Sequence, residues 1–349
     1  MIDRVITVLS LFLAALRRVV PVACCAIVLS CAFGDEDAIE SLYGKSDNPL
    51  FIAVGGDGTG KVILASPNGR IWSGNLVSGG GVNFLNVAGY GDGLFLSVAP
   101  YDSLAGAYNF YVSPDGLLWS RNNTGSDAKV TDIMFSKGLF LAPGMDLPGN
   151  SSAIWASVDG LFFFDTYAPA VPGQTFRGIA YGNGRFVAVG DNIIAVSQDG
   201  LVWSSNLVSV PTFAMYDVAY GGVGFVAVGE SGMIMVSPDG MAWSPPFYVH
   251  PSCGVDPCHL NAVVYDSGKF VAVGDQLGLG AIFVSLDGLI WTNNVYGDVA
   301  MSLVKVAGCN GTFIAVTGMT DYARSGDGIS WSTETFSGGP QIQGVACRP

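Results

Sequence analysis

The amino-acid sequence predicts an all-β fold, a seven-bladed β-propeller of four-stranded antiparallel blades whose C-terminal strand completes blade one. Three observations carry that expectation. Glycine supplies 48 of 349 residues and half of the chain is apolar, a balance against helices, because each interior glycine weakens a helix by about 1 kcal/mol. The phrase Ser-x-Asp-Gly-x-x-Trp recurs seven times, its serines separated by 47, 44, 40, 40, 48 and 40 residues, close to the ~40–45 residues of a propeller blade. Finally, Ile342-Gln343-Gly344-Val345-Ala346-Cys347 repeats the first strand of the unit and then stops.

Each unit reads as four strands. The clearest copy runs Ile179-Ala180-Tyr181-Gly182, then Arg185-Phe186-Val187-Ala188-Val189-Gly190, then Ile193 to Ser197, then Trp203 onward. Short runs of Val, Ile, Phe and Ala bounded by Gly and Asp are strands. Gly-x-Gly joins the first two strands and an Asp-Gly turn joins the last two. In that turn the Ser and Asp side chains bond nearby backbone N–H groups, and Gly supplies the positive φ. The following Trp packs on neighbouring strands.

The well-formed turns are Ser113, Asp115, Gly116 and Trp119; Asp199 with Trp203; Asp239 with Trp243; Asp287 with Trp291; and Asp327 with Trp331. Two copies depart from the pattern, with Asn68 in place of Asp and Phe163 in place of Trp. The phrase resembles the Asp-box of the BNR-type propeller families, shortened by one residue, and the resemblance covers residues ~40 to 349. Those families include sialidases, photosystem assembly factors and many exported bacterial propellers. A shared fold does not by itself transfer an activity.

Residues 1–31 read as a targeting segment, 32–40 as a short linker and 41–349 as the propeller. The stretch Val19 to Ser30 has the length of a signal-peptide core and is too short to span a membrane. Val28-Leu29-Ser30-Cys31 resembles a bacterial lipobox, which implies lipidation at Cys31 and a membrane-anchored envelope lipoprotein. Cleavage after Ala32, giving a soluble secreted or periplasmic protein, is the alternative. With Cys24 and Cys25 in the leader, four cysteines remain: Cys253, Cys258, Cys309 and Cys347. Two disulfides suit an exported chain. One would staple the loop between Cys253 and Cys258. The other would join Cys309 and Cys347, which follow the same repeat strand in adjacent blades. A four-cysteine zinc site is the competing reading, and at the loop a zinc site of His250, Cys253, Cys258 and His259 is another.

Fifteen basic against 28 acidic residues give a net charge of −13, which argues against a nucleic-acid partner. No nucleophile elbow, P-loop or dinucleotide fingerprint is present, and no residues are assigned to catalysis. The loops between second and third strands each carry an acid: Asp57, Asp102, Asp146, Asp191, Glu230, Asp275 and Asp321. Encircling one mouth, they would attract a cation such as Ca2+ or a basic partner; otherwise they are turn residues. The expected function is a lipid-anchored envelope propeller that binds a protein or polysaccharide through its loop face. A glycoside hydrolase of sialidase type, or a lyase, is the alternative, and it requires Arg121, Arg177 and Arg324 to meet near an acid and a tyrosine.

Overall fold

The computed structural model describes residues 50–77, 84–99, 109–123, 128–147, 149–168, 173–207, 214–249, 258–295 and 302–349. Among them every regular element is a strand, and the strands form seven separate antiparallel sheets. Six sheets hold four strands. In the blade of residues 128–167 the innermost strand is broken into Ala128–Val130 and Met134–Ser136, both paired with Leu139–Asp146. Blade one is assembled from both ends of the ring: Gln341–Arg348 is its innermost strand and pairs antiparallel with Leu50–Gly56. The predicted closure is therefore present.

The second strand of each blade explains why the chain is so apolar. In Arg185–Gly190, Phe186 and Ala188 face the interface with the preceding blade, whereas Val187 and Val189 face the following one. All four are fully buried. A strand covered on both faces reads as a continuous apolar run, not an alternating one. The core accordingly falls into seven clusters, one at every interface between neighbouring blades, including the closing interface between blades seven and one. No blade has a core of its own.

The repeated turns are built as expected. In the turn at Ser197 the serine Oγ accepts the Gly200 N–H at 2.8 Å and lies 3.0 Å from Asp199 Oδ1. That carboxylate oxygen accepts the N–H groups of Leu201 and Val202, both at 2.9 Å. Trp203 Nε1 donates to the Gly200 carbonyl at 3.0 Å, and its ring joins the core between blades three and four. Asn68 substitutes competently in blade one, accepting from Arg70 and Ile71 at 2.9 and 3.1 Å. Phe163 keeps the aromatic slot by stacking on Phe110 with ring centroids 4.4 Å apart.

A bulge recurs in the innermost strands. In blades four, five and six one residue is left unpaired, namely Arg177, Tyr216 and Asn261, and Gln343 takes the same place in blade one. The partner on the second strand is glycine in each case: Gly190, Gly229, Gly274 and Gly55. The reason is close approach, not backbone conformation. A Cβ on these glycines would stand 2.0, 2.1, 1.8 and 1.9 Å from a carbonyl oxygen of the bulged strand.

The position immediately after the bulge holds Gly344, Val87, Asp132, Gly178, Asp217, Ala262 and Lys305 around the ring, and of these Gly344, Val87, Asp132, Asp217 and Lys305 line an axial cavity. Asp132 accepts the N–H of Ile133 at 2.9 Å and that of Ile179, in the next blade, at 3.3 Å. Asp217 likewise accepts from Val218 at 2.8 Å and from Val263 of the next blade at 3.0 Å. Each carboxylate thus stitches two inner strands together. Lys305 faces them across this axial cavity of about 160 Å3.

Burial pushes Asp217 up to about 6, helped by the negative charge of Asp132 and opposed by Lys305. Asp132 is raised by the same burial and held back by Lys305. For Lys305 burial disfavours the charge, but the two carboxylates outweigh it and hold its pKa above the ordinary lysine value. The three charges act on one another across the cavity.

At the rim of the closing interface, Cys309 and Cys347 form the predicted disulfide, with Cα atoms 6.3 Å apart. Cys258 is also disulfide-bonded; Cys253, its predicted partner, lies outside the described residues, as do His250, Asp102 and Cys31.

Three outcomes follow. Gly229→Ala, which drives a methyl group into the Ala214 carbonyl, lowers stability by about 1–3 kcal/mol or more, whereas Gly184→Ala, with open space around it, costs about 1 kcal/mol for its positive φ; denaturant titration compares them. Replacing Cys309 and Cys347 by Ser lowers stability by about 2–4 kcal/mol in the same assay. Lys305→Met leaves two carboxylates facing each other and costs on the order of 3 kcal/mol at pH 8. An acid whose folded pKa is raised contributes stability below its unfolded pKa of 3.8 and loses it as pH rises through about 6. The Lys305→Met deficit therefore shrinks between pH 8 and pH 4.5; an equal deficit at both would show that the charge of Lys305 is immaterial.

Candidate functional site

In every blade the antiparallel order puts the first–second and third–fourth turns on one face, and the second–third loops with the blade-to-blade connections on the other. The bulged side chains open on this second face, above the axial cavity. The bulge is what places them there: one extra residue re-aims the side chain out of the alternating pattern.

Over blades four to six these residues form one connected group. Arg177 makes a two-point ion pair with Asp191, Nε to Oδ1 at 2.7 Å and Nη2 to Oδ2 at 3.3 Å. Its guanidinium lies 5.2 Å from the centroid of the Tyr216 ring, and the Tyr216 and His259 rings are 6.2 Å apart. Glu230 pairs through its backbone with His259, and its Oε2 accepts the Ala214 N–H at 3.3 Å. Asp275 accepts the Ser302 hydroxyl at 3.1 Å, while Asn261 Nδ2 donates to Ser302 Oγ and to the Leu303 carbonyl, both at 2.9 Å. The Nδ1 of His259 is shielded from solvent and has no partner among the described residues.

The electrostatics bind the group together as well. The Tyr216 hydroxyl is raised above the ordinary tyrosine pKa, first by partial burial and then by Glu230, with smaller contributions from Asp191 and Asp275; Arg177 opposes them. Three acids from successive blades therefore act on one phenol. The mouth holds an aromatic patch, an imidazole, a guanidinium and three carboxylates, and so offers both signs of charge around an apolar centre.

Of the seven loop acids anticipated from the sequence, Asp191, Glu230 and Asp275 come together here. Asp57, Asp146 and Asp321 turn back on their own blades. Asp57 accepts the N–H groups of Thr59 and Gly60 and the Thr59 hydroxyl, between 2.7 and 2.8 Å, bonds that hold its carboxyl below the usual range. Asp146 accepts the Gly149 N–H at 3.0 Å, and Asp321 the Thr335 hydroxyl at 2.7 Å. Among the described residues no three His, Cys, Asp or Glu side chains are grouped to hold a metal ion.

The three arginines do not meet. Arg121 lies on the outermost strand of blade two and bonds Asn109 Oδ1 at 2.8 Å. Arg324 reaches the Asn68 carbonyl in the turn of blade one at 3.2 Å, so only Arg177 stands at the mouth. The turn carboxylates face the opposite side, where backbone N–H bonds pull Asp199, Asp239 and Asp287 below the ordinary range and Asp327 to about 2. Tyr216, Asn261, Asp132, Asp217 and Lys305 escape a reading by motif. Their signal is positional: a polar residue at the same two slots of the aligned inner strands.

A scan against models of known protein families finds no match, and no curated protein matches the chain. Solved structures do. YCF48 bound to D1 peptide is similar at 14% identity and a TM-score of 0.58, over 84% of this chain and 90% of that one. A catalytically inactive virginiamycin B lyase from Staphylococcus aureus, with quinupristin, gives 11% identity and 0.59, over 72% and 84%. The WD40 β-propeller domain of Doa1 gives 16% and 0.53, over 77% and 86%. At these identities the likeness establishes the fold, a seven-bladed β-propeller, and nothing finer.

Proposed function

We propose that this propeller is an exported, lipid-anchored binding protein of the cell envelope that holds a polypeptide segment across the mouth over blades four to six. The observation that carries the reading is the Arg177–Tyr216–His259 row, its first two members on successive bulges and the third paired with Asp275 two residues before the next bulge, flanked by Asp191, Glu230 and Asp275. Arg and Tyr on a rigid framework are the residues that anchor interfaces. Groups of both signs suit a peptide, whose side chains and backbone present both donors and acceptors. That a similarly folded protein is known bound to a peptide supports the choice of ligand.

One observation favours a second reading, a lyase or hydrolase. Tyr216, His259 and Glu230 are titratable groups on adjoining strands, the materials of acid–base chemistry. Turnover of a panel of glycans or cyclic peptides that His259→Ala abolishes would favour this reading over binding.

The test is an array of immobilised peptides of varied charge, read with the full chain. We expect a subset to bind, with affinity falling at least ~10-fold (about 1.4 kcal/mol) in Arg177→Ala and Tyr216→Ala. Arg121→Ala, on the outermost strand of blade two, should bind as the parent does. Retained binding in both mouth variants would contradict the proposal.

A further inference from the structure

The face opposite the mouth carries an unexplained pattern. The second residue after each turn glycine is Ile71, Leu118, Phe162, Val202 and Ile290 in blades one to four and six, and each is 71–74% exposed. Blades five and seven have Ala242 and Ser330 there, but Met241 and Ile329, one residue earlier, are exposed instead. Eleven of the twenty exposed large apolar side chains among the described residues belong to these turns. The turn uses only the backbone N–H of these positions, so any polar side chain would serve its geometry. Repetition of large apolar groups at one slot therefore calls for another cause.

We infer that this face docks on a zwitterionic lipid bilayer, the apolar turn residues entering its interfacial layer. Three features favour lipid over a folded partner. The apolar groups stand singly around an annulus, one blade apart, which a fluid surface accommodates without matching shapes. Between neighbouring turns lie crevices of about 390 and 400 Å3, the first walled by Val202, Trp203 and Met241 with Asp199 at its side, the second by Leu286, Ile290 and Ile329 with Asp287. A cation lines each one: Arg185 donates to the Asp239 carbonyl at 3.2 Å and Lys269 to the Asp327 carbonyl at 2.6 Å. Aliphatic walls beside a cation fit an acyl chain beneath a phosphate. The turn aspartates keep the face from being basic, which suits a neutral headgroup over an anionic one.

The chain also arrives from this side. Leu50, the first described residue, pairs with Arg348 at the first–second turn end of blade one, on the face that carries the apolar turns, and the 49 residues that precede it in sequence include the apolar Val19 to Ser30 and Cys31. Docking would leave the mouth pointing away from the membrane, free for a partner. The inference rests on the membrane-anchored reading proposed above.

The experiment separates the two. The full chain is mixed with phosphatidylcholine vesicles containing brominated acyl chains; pelleting reports anchorage, and quenching of tryptophan fluorescence reports docking, because Trp119, Trp203 and Trp291 directly follow the apolar residues. We expect pelleting with strong quenching. The triple variant Leu118→Asp, Val202→Asp and Ile290→Asp should still pellet with quenching reduced at least five-fold. The double variant Leu277→Asp and Leu279→Asp, on the mouth side, should behave as the parent. Pelleting without quenching overturns docking and leaves anchorage standing. Absence of pelleting overturns docking, and the mass of Cys31 then decides anchorage separately. Self-association in solution that the triple variant abolishes would assign the face to a second copy and also overturn the inference.

Discussion

Everything in this molecule depends on burial between blades. A four-stranded sheet with apolar residues on both faces has no interior of its own, and its middle strands are soluble only when neighbours cover both sides. Seven such sheets satisfy one another only as a closed ring, because an open arc would leave two apolar faces in water. The closing interface, where Phe51, Ile314, Tyr322 and Ile342 share one cluster, is thus a condition for the other six. It is also the one whose inner strand comes from the far end of the chain, and there the Cys309–Cys347 bridge is placed.

Closure explains the polar features at the centre. Inner strands that converge on an axis leave N–H groups along a narrow channel. Asp132 and Asp217 answer them in pairs, one carboxylate for two blades. Two buried carboxylates need a counter-charge, and Lys305 supplies it. The same convergence crowds the bulged strands against the second strands, and glycine at positions such as Gly190 and Gly229 is the residue that fits. The bulge then turns Arg177, Tyr216 and Asn261 outward. Core geometry and mouth chemistry are two consequences of one local irregularity.

Much of this was legible from the residues alone. Blade count, strand assignments, the turn network and the clasp at Cys309 follow from repeat alignment, because local turn chemistry and strand patterning agree at every copy. The seven loop acids illustrate the limit. A shared place in the repeat brought Asp191, Glu230 and Asp275 to one mouth, but whether a carboxylate faces the axis or its own loop depends on local turn geometry, as Asp57 with Thr59 shows. Bulges were illegible for a different reason: the apolar pattern runs up to Phe176 and Met215 and resumes at Ile179 and Val218, and register is a property of two strands, not one. Lys305 hid in an apolar stretch until its counterparts across the axis could be placed.

The claim that the ring is one cooperative unit is most directly tested by amide hydrogen exchange on the intact chain at neutral pH. If closure carries the stability, the amides of Ile52, Val54 and Ala346 in blade one exchange only through global unfolding, as slowly as those of Val187 and Val189 in blade four. Exchange in blade one markedly faster than in blade four would mean that the C-terminal strand is an independent attachment, and the account built on closure would fail.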